Sequence, residues 1–195
     1  MPAESGSAES DACAVAHGAA TAPVPQASAS QASAVAPQAG GEPAVRTLVA
    51  VFASPVSGYL LRYAADAGFR TLLVEPDAGR AEGARMAGFP VLTAMPEDLD
   101  DADVVVTDHH RDELGVLLRD ALATKARWVG IMGNPRHVGP HVAALTELGV
   151  GEADIARVHR PIGLNIGSRI PAEIAISTLA GLLADRNSRP GGVAF

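Results

Sequence analysis

Four short runs hold the residue types that chemistry needs. Thr107-Asp108-His109-His110 sets a hydroxyl, a carboxylate and two imidazoles side by side, and imidazole is the side chain whose ordinary titration falls near neutrality. Gly133 opens a turn that reaches Arg136, a glycine and a guanidinium suited to an anion such as phosphate. Gly163, Asn165, Gly167 and Arg169 lead straight to Pro171 and Glu173. The glycines permit positive φ or close approach of another group, while Pro171 pre-sets the first turn of a helix and Glu173 complements its dipole. Finally, Ser54, Ser57 and Gly58 form a small-residue turn, with Glu75 further along the chain.

These runs need a scaffold, and the apolar pattern between them supplies one. The stretch 46–53 is continuously apolar and β-rich, as a strand buried on both faces of a parallel sheet would be. A helical pattern through Leu60, Leu61 and Ala64 stops at Gly68, and a second buried strand runs from Phe69 to Glu75, completing a βαβ unit. A short glycine-containing helix and a weak strand at Phe89–Leu92 follow, then a buried strand at Asp103–Thr107. The run from Asp108 reads as opening a helix to about Ala123, with Thr107 or Asp108 as its cap. Trp128–Met132 is a further strand. A helix ends near Leu148 with Gly149 behind it, and 152–158 reads as a helical turn or two. The last helix, Pro171–Arg186, presents Ile176, Leu179 and Leu183 on one face with Ile174 and Leu182 beside it.

Strand, turn, helix and a strand ending in an acid is the order of a dinucleotide-binding half, and in an open α/β sheet the carboxyl ends of the strands carry the ligand. The glycine fingerprint is nonetheless mostly missing: Ala53-Ser54-Pro55-Val56-Ser57-Gly58 keeps only its last glycine, and Pro55 removes a backbone donor. Ser54 and Ser57 therefore read as helix caps before they read as ligand contacts, and Glu75 as either a ribose acceptor or a solvated strand end. A metal site would need His137, His141 or His159 as further ligands, and no spacing fixes them together, so none is expected.

The chain of 195 residues is 48% hydrophobic but only 4% aromatic, so Val, Ile, Leu and Ala must fill one core. A net charge of −7 argues against general binding to nucleic acid or anionic membrane. Residues 1–44 are rich in Ala, Ser, Gln, Gly and Pro without apolar period, the composition of a disordered low-complexity tail ahead of a domain at 45–190. That tail has no Lys or Arg and no unbroken apolar run, so neither a secretion signal nor a membrane span is read from it. Cys13, the single cysteine, excludes an internal disulfide and fits a reducing compartment.

Taken together, the runs resemble a known family. Arg160-Pro161-Ile162-Gly163-Leu164-Asn165-Ile166-Gly167-Ser168-Arg169, followed by Pro171-Ala172-Glu173-Ile174-Ala175, resembles the P-I-G-L-D-I-G-A-R-x-P-E-E-I-A signature of the XdhC/CoxI-type xanthine dehydrogenase accessory family. Ile131-Met132-Gly133-Asn134-Pro135-Arg136 is similar to that family's G-L-x-G-S-R turn. Val106-Thr107-Asp108-His109-His110 is similar to its V-x-T-H-D-H stretch, with the acid and histidine reordered. The resemblance covers about residues 46–187. It departs at the first turn, where the family has G-x-G-H-V, and at Asn165, where the family has Asp. The resemblance implies a three-layer Rossmann-like fold: an open, mostly parallel sheet with helices on both faces. It also implies a cytoplasmic accessory protein, with no chemical step of its own, that binds molybdenum cofactor (molybdopterin) for maturation of a molybdenum hydroxylase such as xanthine or carbon monoxide dehydrogenase. The client enzyme and a sulfurtransferase are the implied partners, and a homodimer is compatible with the role. On this reading the turns at 53–58, 107–110, 133–137 and 162–169 line one sheet edge, with Arg136, Arg169 and His109 as anion contacts. The alternatives are an NAD(P)-dependent oxidoreductase using His109 or His110 as acid, which the missing glycines disfavour, and a degenerate regulatory or interaction module.

Overall fold

Continuous apolar runs without alternation make strands that must be covered on both faces, and the sheet is built on that requirement. The computed structural model describes residues 45–133 and 138–192; the expected tail at 1–44 and Arg136 lie outside them. The strands are β1 (Thr47–Val51), β2 (Arg70–Val74), β3 (Val91–Leu92), β4 (Asp103–Val106), β5 (Trp128–Ile131) and β6 (Val158–His159). The helices are α1 (Pro55–Asp66), α2 (Ala78–Met86), α3 (Leu114–Ala123), α4 (Pro140–Glu147), α5 (Glu152–Ile155) and α6 (Pro171–Arg186). All pairings are parallel and the strand order is β3-β2-β1-β4-β5-β6, a doubly wound Rossmann-like sheet. Among the described residues, no helix is long and apolar enough to cross a membrane.

Two apolar layers cover the sheet. On one face Leu60, Leu61 and Ala64 of α1 and Ala175, Leu179 and Leu182 of α6 pack on Leu48, Ala50, Leu73 and Val105. On the other, Leu114, Leu117, Leu118 and Ala121 of α3 and Leu145 of α4 pack on Val49, Val51, Val104, Val106 and Ile131. At the amino edge Asp103, fully buried, takes Arg127 at 2.7 Å and Arg186 at 2.5 Å, tying the end of α6 to the start of β4. At the other end Val51 is in register with both Val74 and Val106, and Val106 with Ile131. The residues that follow these four strands therefore emerge side by side.

Three local expectations are corrected. The run 152–158 is not all helical: after α5 the chain forms β6, whose Val158 and His159 pair with Val129 and Gly130. A two-residue strand has no period to read, and only the open edge of β5 makes it one. Helix α3 begins at Leu114 rather than Asp108, because Asp108 Oδ1 accepts from the His110 amide at 2.9 Å and folds that segment into a turn. On α6, Ile176 is half exposed, while Ala175, Ser177, Thr178, Leu179 and Leu182 are buried. The small residues let α6 lie close to α1 and to the 163–164 backbone, which turns Ile176 outward.

Gly130, inside a central strand, has a steric reason. The Trp128 indole, stacked at 5.1 Å on His159, folds over it, and a Cβ there would collide with that ring and lie 2.9 Å from Ile162. Gly130→Ala is therefore expected to destabilise the fold by about 1–3 kcal/mol, read as a lower urea midpoint with unchanged slope.

Candidate functional site

The strand order reverses between β1 and β4, and ligands of such sheets sit in the crevice that this reversal opens. Here the chain's own side chains span it. Ser54 caps α1 in a reciprocal box: its Oγ accepts from the Ser57 amide at 3.1 Å, and Ser57 Oγ accepts from the Ser54 amide at 2.8 Å. Thr107 caps no helix. Its hydroxyl lies 3.0 Å from both Val51 O and Phe52 O and 3.1 Å from Ser54 Oγ, bridging the crevice. Gly58 sits in α1, where a Cβ would only make ordinary contact with Phe89. The small turn is thus a cap, and its hydroxyls are committed to it.

Glu75 is 0% exposed, which corrects both of its readings, ribose acceptor and solvated strand end. One oxygen accepts from the Ala53 amide at 2.8 Å and the other from the Asp77 amide at 3.0 Å. The Arg111 guanidinium completes the set at 3.1 and 3.4 Å. To reach Glu75, Arg111 crosses from the segment after β4 over the end of β1, with its guanidinium 4.7 Å above the Phe52 ring. Sequence reasoning passed over Arg111. The available signal was a lone cation among Asp108, Asp112 and Glu113, in a chain with an acid at the end of a buried strand.

The β4–β6 half of the edge is arranged differently. His109 lies against the end of β5, where Met132's backbone hydrogen-bonds it, and its ring is 4.0 Å from that of His110, which is exposed. Burial, then His110, then Arg160 hold the His109 pKa below the ordinary imidazole value. Arg160 directly follows β6, and its guanidinium covers Gly133, where a Cβ would come within 2.7 Å of it. Its aliphatic stem passes Gly139, which precedes α4, at 3.1 Å from a Cβ built there. His141 in the first turn of α4 folds back against Gly139, and its pKa is also lowered, by burial first and then by Arg160. Arg160 and His141 were not among the expected contacts. Arg160 stood in plain view as the first residue of the glycine-bearing stretch, but nothing in that stretch told where its side chain turns.

The rest of that stretch docks on α6. Gly163, at φ +87°, abuts Ser177, whose Oγ donates to Leu164 O at 2.5 Å. Gly167 has φ +71° and open space around it. Asn165 and Arg169 are exposed, and the Arg169 amide donates to Glu173 at 3.3 Å. The structure thus brings together Ser54 with Thr107, and His109 with the Met132 backbone that precedes Gly133, and it places Gly163 as a packing residue.

Residues 48–182 match the family model described as the XdhC Rossmann domain. The uncharacterized protein YqeB of Escherichia coli (strain K12) is 39% identical over 90 residues, which is 46% of this chain and 16% of YqeB. A solved chain described as a xanthine dehydrogenase from Bacillus halodurans shares the fold with a TM-score of 0.58 at 22% identity, over 75% of this chain and 45% of that one. The chain thus spans less than half the length of each of these relatives.

Two outcomes are expected. Glu75→Ala strands Arg111 and two amide donors, and should cost about 3–5 kcal/mol, whereas Glu75→Ala combined with Arg111→Met should cost less than the two single changes summed, by urea unfolding. For pH, both His109 and His141 bind a proton less readily folded than unfolded. Stability is therefore full above the ordinary imidazole range and falls as pH drops through about 6.5 toward the lowered folded values. Urea midpoints from pH 8 to 5 should show that slope, and it should flatten when both histidines are replaced by Phe.

Proposed function

The chain belongs to the XdhC Rossmann-domain family, and from that premise we propose that it is an accessory protein that holds molybdenum cofactor for a molybdenum hydroxylase such as xanthine or carbon monoxide dehydrogenase. The observation that carries the reading is the meeting of His109 and Arg160 at the end of β5, where the absence of a side chain at Gly133 lets the Arg160 guanidinium lie on the backbone. A pterin with a phosphate tail suits such a floor. A guanidinium offers paired N–H donors to phosphate, and an imidazole can donate or accept at a ring nitrogen. The chemistry of the cofactor belongs to its metal and dithiolene. What this chain contributes is binding and orientation, so no proton transfer is assigned to His109.

The nicotinamide reading draws support from the strand order. Against it stand the crevice bridged by Ser54 and Thr107, and the Glu75 carboxylate already paired with Arg111. Cytoplasmic placement, a sulfurtransferase partner and a homodimer remain parts of the proposal that follow from the family role. Mass spectrometry of the purified protein after mild denaturation, with reconstitution by molybdopterin, tests the reading. Release or uptake of pterin is expected. Failure of both, or saturable NADH or NADPH binding without pterin affinity, overturns it.

A further inference from the structure

Beside the capped first turn of α1 the structure leaves a cavity of about 230 Å³. Ser57, Leu61 and Leu73 line its floor and are buried, while Gly58, Ala84 and Phe89 line its rim and are half-buried. No residue of β4 or of the segment after it takes part, which sets the cavity apart from the crevice that Ser54 and Thr107 bridge. Its aromatic wall is held in place. The Phe89 amide donates to Ala84 O at 3.1 Å, tying the ring to the end of α2, and the Arg62 guanidinium lies 5.4 Å from the ring centroid. Gly58 adds no side chain opposite it; a Cβ there would stand 3.8 Å from the ring. The polar groups at the cavity are engaged within the protein. Ser57 Oγ donates to Ser54 O at 2.8 Å, Ser54 Oγ meets the Ser57 amide and Thr107, and the Ala53 amide donates to Glu75. A guest in this space therefore meets carbon, and a charge brought into it finds no partner.

We propose that this cavity is a binding site for a small neutral aromatic ring, of benzene to indole size, seated beside Phe89 on Leu61 and Leu73. The volume suits such a guest, since apolar cavities of about 150 Å³ take up benzene. Walls of this kind offer a water molecule too few hydrogen-bond partners, whereas ring carbons gain from burial and from edge-to-face or offset contact with Phe89. The site does not depend on the molybdenum cofactor reading: a pterin is edged with polar atoms that these walls would leave unpaired. A bound ring rests against Ala53 and Ser54, the residues joined to Glu75 and Thr107, and so adjoins the hydrogen-bonded corner of the sheet edge.

Titration of the methyl-labelled full chain with benzene and with indole, followed by NMR, tests the site. Saturable shifts are expected at the Leu61 and Leu73 methyls. Ala84→Leu places a larger side chain in the cavity and should weaken indole binding about tenfold or more. Gly58→Ala, whose Cβ meets only ordinary contacts, keeps the fold and should weaken indole binding to a smaller extent. Thermal melts establish that each variant folds. Benzoate, the same ring with a charge, should bind at least about tenfold more weakly than benzene. Absence of saturable shifts at those methyls with both probes, or undiminished indole binding in Ala84→Leu and Gly58→Ala, overturns the site. Benzoate bound as tightly as benzene overturns its assignment to a neutral ring.

Discussion

The fully buried Glu75 carboxylate is the constraint on which the carboxyl edge of the sheet depends. A charge taken out of water needs compensation from every side, and here it comes from two backbone amides and a guanidinium. Each donor comes from a different place: Ala53 from the segment after β1, Asp77 from the start of α2, and Arg111 from the segment after β4. One carboxylate thereby fixes three chain segments. The capped start of α1, the bridging hydroxyl of Thr107 and the delayed start of α3 are all consistent with that arrangement.

The same interaction explains a strained residue. Phe52 has φ +73°, in a region where a side chain costs about 1–2 kcal/mol and glycine is favoured. Its ring is fully buried and lies under Arg111, and its amide donates to Val74 O at 2.8 Å. Burial of a large aromatic, with a cation over its face, offsets the backbone cost. A glycine would relieve the strain and lose the ring that supports Arg111. The first turn has therefore departed from a phosphate-binding loop toward a packed, hydrogen-bonded corner.

Beside the hydrogen-bonded first turn a cavity of about 230 Å³ remains, lined by Ala53, Ser57, Gly58, Leu73 and Phe89, whereas the cationic and imidazole groups collect on the β4–β6 half. There burial and Arg160 hold the pKa of two imidazoles below the ordinary value, Arg160 and His141 pack on Gly133 and Gly139, and Arg160 supplies positive charge in an acidic protein. Addition of β6 to the sheet makes this possible. Pairing of His159 with Gly130 brings the next residue, Arg160, to the level of the end of β5.

Much of the fold was legible in the sequence, because strands covered on both faces leave uninterrupted apolar runs and helices stopped by glycine leave a visible end. The runs at 46–53, Phe69–Glu75, Asp103–Thr107 and Trp128–Met132 each contain a strand of the sheet, and Pro171 opens α6 as its φ preference dictates. The types of the site residues were legible too, and the family signature could be read from its glycines and prolines. Tertiary structure alone decided what those residues do. Ser54 and Ser57 turn to each other across the first turn of α1, and Glu75 turns inward because Arg111, 36 residues away, reaches it. Arg160 serves the edge because β6 exists, and a two-residue strand exists only where a neighbouring strand offers open hydrogen bonds. Local pattern sets what a segment is; the direction of a long charged side chain depends on partners that no local pattern contains.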